Sequence, residues 1–318
     1  MHLGIFAKTF PRRTLEETLD AIVEQGLTHV QFNLSCVGLP TLPERLDEDL
    51  CAGIARSFRQ RGLTMAAISG TFNLCDPDYS RLQENLRRLA VLAAACRWLD
   101  TRIITLCTGT ADPEDMWKWH SQNVLRSTWE KLVESMREAA RVADRHEVTL
   151  AFEPELNNVV NSVCKARMLL DEVGSPWIRV VIDPANLVRP GDLSRMKEVF
   201  DEAFDWLAPE IILVHAKEPP LGEKPGERST IELSDSLLKM SPKLYSEIVA
   251  RVSAKNFEEL SLYLRELARW HDFYQPFLFR LREMAYPGAV ILHGFEEVDV
   301  PQKLTWLRAI LAQVSSEG

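Results

Sequence analysis

The sequence predicts an α/β protein folded as a single (β/α)8 TIM barrel over residues 1–318, with an extended, largely helical insertion between strands 7 and 8. Three observations predict it. Eight short apolar runs alternate with longer amphipathic ones along the whole chain, the pattern of parallel strands joined by crossover helices. The runs read as hydrophobic on both faces, as strands covered on two sides do. No GxGxxG follows the first run, so the main sign of an open dinucleotide-binding sheet is missing.

His2 to Phe6 alternates and reads as the first strand. Thr14 is placed to cap the helix Leu15 to Gln25, Glu17 completes a capping box, and Gly26 can end the helix in the left-handed region. A strand at His29 to Asn33 then precedes a helix at Asp47 to Gln60, and one at Thr64 to Ser69 precedes a helix at Tyr79 to Trp98. Arg102 to Leu106 leads to Leu125 to Arg145, Val148 to Phe152 to Ser162 to Val173, and Arg179 to Ile182 to Leu193 to Trp206. Ile211 to Val214 is the seventh strand, Lys243 to Trp270 the long helical stretch after it, and Ala289 to Leu292 with Gln302 to Val314 the last pair.

About seventy residues separate strands seven and eight, where a βα unit of ~30 is the norm. The excess, residues 219–270, opens with PPLGEKPGER and then reads as helix. It leaves the barrel at the C-terminal end of a strand, the end that carries active sites. It is a solvated excursion, a lid or a dimer contact, so a homo-oligomer is among the expectations.

With 37 Lys and Arg against 46 Asp and Glu, the formal charge is −9. No basic cluster offsets it, so nucleic acid is not the expected partner. Apolar runs such as Ile211 to Val214 are far shorter than the ~20 residues of a membrane helix, and no membrane association is expected. The six cysteines, Cys36, Cys51, Cys75, Cys96, Cys107 and Cys164, form no CxxC pair and read as reduced thiols. MHLGIFAKTF lacks the layout of a signal peptide, and the expected location is the cytoplasm.

Chemistry gathers at the late strand ends. The fifth strand runs into Glu153, the sixth into Asp183, the seventh into His215 and the eighth into His293. Strand side chains alternate, so Ala151, Val181, Leu213 and Ile291, two residues earlier, point the same way. All four are apolar, as a packed layer beneath a polar mouth requires. Two carboxylates and two imidazoles converging there need a cation or an internal ion-pair network to satisfy them. A divalent metal does so with oxygen and nitrogen donors, and the mixed set suits manganese, cobalt or zinc better than magnesium or calcium.

Lys217 lies two positions after His215, on the same face, where it can neutralise an enolate or alkoxide oxygen; Glu155 stands in the same relation to Glu153. Trp117 and Trp119, with His120, follow the fourth strand and can stack on the apolar face of a sugar ring. Asn186 and Asn73 are candidates for hydroxyl contacts.

Several local strings resemble one superfamily: SGTFNLCDPD from Ser69, CTGTADPEDMW from Cys107, AFEPE from Ala151, VIDPANL from Val181, HAKE from His215 and ILHGFEE from Ile291. In their order and spacing they are similar to the xylose isomerase-like TIM barrels, which include sugar phosphate isomerases and epimerases, inosose dehydratases and the endonuclease IV type of repair enzyme. The resemblance implies Glu153, Asp183 and His215 as metal ligands, Glu153 also as an acid or base, and manganese as the metal. The pattern departs at the last strand, where the superfamily usually places a glutamate that is both fourth ligand and second catalytic carboxylate. Here His293 holds that place, with Glu296 and Glu297 beyond. A neutral histidine completes a metal shell and can act as a general base.

The expected function is then a metal-dependent isomerase or epimerase that removes a proton next to the carbonyl of a sugar or keto-sugar through a metal-stabilised enediolate, with Glu153, His293 and Lys217 as catalytic residues. The alternative is a lyase or dehydratase on an oxidised sugar, a 3-keto-glycoside or an inosose, which shares the proton-removal step. A non-catalytic barrel and an apurinic-site endonuclease complete the set. The nuclease type would place a histidine three residues after Asp183, where this chain has Asn186.

Overall fold

The computed structural model describes residues 1–220, 246 and 257–316. Eight parallel strands close into a barrel in sequence order. They are β1 (His2–Phe6), β2 (His29–Phe32), β3 (Thr64–Ser69), β4 (Ile103–Cys107), β5 (Thr149–Glu153), β6 (Ile178–Ile182), β7 (Ile211–Ala216) and β8 (Ala289–Leu292). Among the described residues the helices longer than one turn are α1 (Leu15–Glu24), α2 (Glu48–Gln60), α3 (Tyr79–Leu99), α4 (Arg126–His146), α5 (Val163–Val173), α6 (Met196–Leu207), α7 (Phe257–Glu283) and α8 (Val300–Ser316). Three strands run further than their apolar runs suggest, β4 to Cys107, β5 to Glu153 and β7 to Ala216. Glu153 pairs in register with Cys107, and β7 continues to Ala216 against Leu292, so both Glu153 and His215 belong to the ladder itself.

Local chemistry sets the helix ends. Thr14 accepts the N–H of Glu17 at 3.2 Å while Glu17 accepts that of Thr14 at 3.3 Å, the capping box the sequence predicts, and Gly26 follows at φ 66°. Asp47, Asp78 and Ser162 cap α2, α3 and α5 with their side chains. The stretch expected as one helix from Leu193 instead begins with a 3-10 turn at Pro190–Arg195, and the α-helix starts at Met196. Proline at the first position favours a tight turn there.

The barrel belongs to a compact unit formed by Met1–Leu187, Asp205–Lys217 and Pro287–Gly294. Ala151, Val181, Leu213 and Ile291 meet in its interior together with Ala67 and Ala289 in one buried cluster, as the strand alternation requires. Gly4 makes room for this layer. A Cβ there would stand 2.6 Å from Ile291 Cδ1 and 2.5 Å from the His29 carbonyl.

A second compact unit comprises Val188–Phe204, Glu218–Tyr286 and Phe295–Gly318. Residues 221–245 and 247–256, most of the insertion and the first part of its expected helix, lie outside the described residues. The described helix, α7, does not end at Trp270 as expected but continues through Pro276 to Glu283. Phe273, Tyr274, Phe277, Leu278 and Leu281 are all buried. Each such burial contributes about 1.5–3 kcal/mol, which together outweighs the roughly 3 kcal/mol cost of an internal proline. Within the same unit Lys303 is 7% exposed, lies over the Trp270 and Trp306 rings and bonds Glu218 at 2.5 Å.

All six cysteines are unpaired, and burial pushes the Cys75 and Cys96 thiols up to about 12, where they are unreactive. Among the described residues no helix is long and apolar enough to cross a membrane.

Candidate metal centre

Four consecutive strands deliver four donors to one place. Glu153 ends β5, Asp183 follows β6, His215 lies in β7 and His293 follows β8. Each stands two residues beyond a member of the buried interior layer and shares its inward face. The β6–β7 register shifts between Val180 and Val181, so that Val181 pairs with Leu213 and Ile182 with Val214. That irregularity carries Asp183 level with His215, the kind of re-aiming a bulge performs. The His293 backbone N–H, donated to Ala216 O at 3.1 Å, holds the last donor beside β7. One ligand atom from each of the four side chains lies within 4.8 Å of the other three.

Within the cluster the contacts are specific. His215 Nδ1 is 3.0 Å from Glu153 Oε2 and His293 Nε2 is 3.2 Å from Asp183 Oδ2. The two imidazole rings lie 4.4 Å apart. Asn186, held by the short helical turn Pro184–Leu187 just after Asp183, donates to Glu153 Oε1 at 2.6 Å and accepts from Lys217 Nζ at 2.6 Å. Lys217 also stands 3.4 Å from Asp183 Oδ2 and 4.0 Å from Glu155 Oε1. Glu155, Asn186 and Lys217 therefore form a polar arc directly beside the four donors.

One member of this assembly has no counterpart among the residues expected from sequence. Gln31, on β2, is 3% exposed and places Oε1 2.7 Å from His215 Nε2. A polar residue between the buried apolar Val30 and Phe32 was the available signal.

Burial dominates the electrostatics. It pushes Glu153 up to about 7, with the Asp183 charge adding to the effect, and Glu155 up to about 7, with Glu153 adding. Burial holds His215 down at about 4, so its imidazole is neutral near pH 7. Burial also works to raise Asp183, but the Lys217 ammonium and the His293 hydrogen bond outweigh it and keep the carboxyl well below the usual range. Lys217 is raised in turn, since Asp183, Glu153 and Glu155 together overcome its desolvation.

The donor set fits a divalent cation. Two ligands each about 2.1 Å from one ion are roughly 3.0 Å apart at right angles and roughly 3.4 Å apart at the tetrahedral angle. The Glu153–His215 and Asp183–His293 separations of 3.0 and 3.2 Å match that range. Two neutral-capable imidazoles and two carboxylates, three of the four side chains buried, also match what such an ion needs.

The remaining sequence candidates divide. Asn73 spends both ends of its amide on loop backbone, accepting from Cys75 N and Thr110 N and donating to Thr110 O. His120 accepts the Gln122 N–H through Nδ1. Trp117 and Trp119, 46% and 50% exposed, sit on the loop between β4 and α4. That loop is pinned by two asparagines the sequence did not single out. Asn158 accepts from Gly109 N and donates to Met116 O, while Asn123 accepts from Ala111 N and donates to Asn157 O.

Comparison with known proteins agrees with this geometry. The model of the xylose isomerase-like TIM barrel family matches residues 19–310. Among curated proteins nothing matches. Solved structures with the same architecture include the 3-keto-D-glucoside 4-epimerase of E. coli, 14% identical, covering 97% of this chain and 99% of that one at a TM-score of 0.62. A D-psicose 3-epimerase of Clostridium cellulolyticum is 14% identical and covers 98% and 99% at 0.61. A probable 3-DHS dehydratase of Bacillus anthracis is 14% identical and covers 97% and 99% at 0.60. At these identities the likeness is one of fold.

Proposed function

This chain belongs to the xylose isomerase-like TIM barrel family, and from that premise we propose that it is a metal-dependent isomerase or epimerase of a sugar or keto-sugar. The observation that carries the reading is the convergence of Glu153, Asp183, His215 and His293 beside the Asn186–Lys217–Glu155 arc. These four residues would hold the ion, for which we assign manganese on the mixed donor set and the family pattern. When bound, the ion supplies positive charge that polarises a carbonyl or hydroxyl oxygen.

The chain's own residues supply the rest. Glu153 takes the proton from the carbon beside the carbonyl, as the carboxylate that ends β5 at the centre of the cluster. Asn186 holds that carboxylate by one oxygen and Lys217 by its ammonium, which fixes their separation. Lys217 stabilises negative charge on the substrate oxygen, as preorganised cations do. Glu155, with Asn186 and the aromatic loop of Trp117, Trp119 and His120, would meet the hydroxyls and ring faces of the sugar, whereas Asn73, its amide committed to the Cys75 and Thr110 backbone, holds the loop instead. His293 serves either as the fourth ligand or as the second proton carrier, because an imidazole bound to a cation by one nitrogen keeps only an N–H on the other.

A second reading rests on His293 itself. Return of the proton on the opposite face calls for a second base, and this chain offers an imidazole where two carboxylates would serve symmetrically. Elimination of an oxygen leaving group β to the carbonyl, a hydroxyl or a glycosidic oxygen, needs only one base and an acid, so a lyase acting on an oxidised sugar, a 3-keto-glycoside or an inosose follows from the same residues. One experiment tests the shared step. Metal content is measured, then ketoses, 3-keto-glycosides and inososes are incubated with the protein in deuterium oxide. Exchange of the proton next to the carbonyl, abolished by chelator, is expected; absence of exchange in every class with metal present overturns the enzymatic reading. Loss of water from an inosose or oxidised sugar, or release of the aglycone alcohol from a 3-keto-glycoside, distinguishes the lyase.

A further inference from the structure

We propose that Gln31 is a positioning residue that fixes the tautomer of His215, keeping the proton on Nε2 so that Nδ1 is free to bind a cation beside Glu153. The proposal builds on the metal reading of the cluster. Gln31 comes from β2 and His215 from β7, and both are buried in the barrel interior. The register of β2 against β3 shifts between Val30 and Gln31, pairing Gln31 with Ala67 of the interior layer. The side chain is thereby turned inward.

In the structure the amide nitrogen faces two hydroxyls. Gln31 Nε2 donates to Ser69 Oγ at 3.3 Å and to Thr105 Oγ1 at 3.2 Å. Thr105 Oγ1 donates in turn to Ser69 Oγ at 3.5 Å, which leaves its oxygen as the acceptor for the amide. Gln31 Oε1 faces His215 Nε2 at 2.7 Å. A carbonyl oxygen only accepts, so Nε2 must carry the hydrogen. A neutral imidazole has one N–H, and Nδ1 is left with its lone pair 3.0 Å from Glu153 Oε2.

The alternative arrangement shows why this glutamine matters. Were Gln31 apolar, a hydrogen on Nε2 would be buried without an acceptor, and the imidazole would move it to Nδ1 to donate to Glu153. The ligand nitrogen would then be capped, and binding a cation would first require the proton to move. Partners of this kind orient metal-binding histidines generally. Here the partner is a neutral amide held by two hydroxyls, with no added charge in the interior.

The test uses full-length, metal-free protein labelled with nitrogen-15 in its histidines. Long-range proton–nitrogen spectra, with His215 assigned by its absence in His215→Gln, show which ring nitrogen carries hydrogen. The parent is expected to show the hydrogen on Nε2, and Gln31→Met, of similar volume without the acceptor, to show it on Nδ1. Zinc affinity by calorimetry should fall about tenfold to a hundredfold in that variant. Gln31→Glu, which restores an acceptor, should recover the parent tautomer and most of the affinity.

The double variant Ser69→Ala, Thr105→Val, which frees the amide to rotate, is measured alongside and should show the Nδ1 form in part. An Nε2 hydrogen retained in every folded variant overturns the proposal. Parent protein that binds no zinc would instead overturn the metal reading, and the metal-free spectra would still decide the role of Gln31.

Discussion

Asp183 grips two things at once: its Oδ2 stands 3.2 Å from His293 Nε2, and its Oδ1 accepts the Ala185 backbone N–H at 2.9 Å. The carboxylate is fully buried, so neither contact competes with bulk water. The turn that follows β6 and the imidazole that follows β8 are thereby keyed to a single side chain. Lys217, 3.4 Å from the same Oδ2, adds the positive charge that keeps Asp183 ionised. His293 is thus oriented with Nε2 toward the shared centre.

That orientation predicts how the last strand responds to substitution. His293→Ala should lower metal affinity by more than the roughly tenfold loss that an outer partner alone brings. His293→Glu, which supplies an oxygen donor from the same position, should retain one equivalent of metal by elemental analysis. If His293 instead carries a proton in the reaction, His293→Glu changes the pH-rate profile while metal content stays that of the parent. Unchanged metal content and an unchanged profile in both variants would reduce His293 to a structural residue.

Glu153→Gln separates base from ligand. The amide keeps the shape and one acceptor oxygen for Asn186 Nδ2, now 2.6 Å away, so the fold should be retained. Turnover should fall about 10²–10⁴-fold, the usual contribution of a positioned base. Asp183→Asn and His215→Ala should act mainly through metal loss, and raising the manganese concentration should recover part of their activity. Equal recovery of Glu153→Gln by metal would show that the carboxylate serves only as a ligand.

The donors were legible in the sequence because strand periodicity is local: reading two residues back from Glu153, Asp183, His215 and His293 gives Ala151, Val181, Leu213 and Ile291, which do form the interior layer. Gln31 was not legible in the same way. Its partners Ser69, Thr105 and His215 lie 38, 74 and 184 residues away, and no local pattern joins them. Asn186 was visible as a polar residue near Asp183, yet its bridge between Glu153 and Lys217 depends on three strands meeting. Asn123 and Asn158 were hidden for the same reason. They bind backbone of loops that only the closed barrel brings together. The helix α7 runs past the expected end at Trp270, through Pro276 to Glu283, because the burial of Phe273, Tyr274, Phe277, Leu278 and Leu281 that carries it is tertiary.

Gly109 predicts how tightly the loops after β3 and β4 are joined. It sits at φ 71°, and a Cβ there would stand 2.0 Å from Asn73 Oδ1. Gly109→Ala should cost about 1–2 kcal/mol for the left-handed backbone, and more for the Asn73 bonds to Cys75 and Thr110 that must shift. Urea unfolding measures the loss. Stability within about 0.5 kcal/mol of the parent, the range of neutral surface changes, would show that the loop gives way freely.

The pH dependence of the metal-free protein carries a sign that can be checked. Burial places Glu153 and Glu155 at about 7 in the folded state, against the 4.5 of an unperturbed glutamate. Between those values the folded state binds more protons than the unfolded one, so these two groups make stability fall as pH rises. His215 opposes them, since its folded value of about 4 lies below 6.5 and its contribution rises with pH over that interval. Asp183, lowered from 3.8, acts only in more acidic solution. A comparison that cancels the histidine isolates the carboxylates. The double variant Glu153→Gln, Glu155→Gln stays neutral throughout, whereas the parent acquires buried negative charge as pH rises. The Tm difference, variant minus parent in the presence of chelator, should therefore be larger at pH 8 than at pH 5. Manganese should reverse the order at pH 8 by stabilising the parent alone, because ligands must be deprotonated to bind. A Tm difference that stays constant from pH 5 to pH 8 would show that neither carboxylate is displaced from its ordinary range.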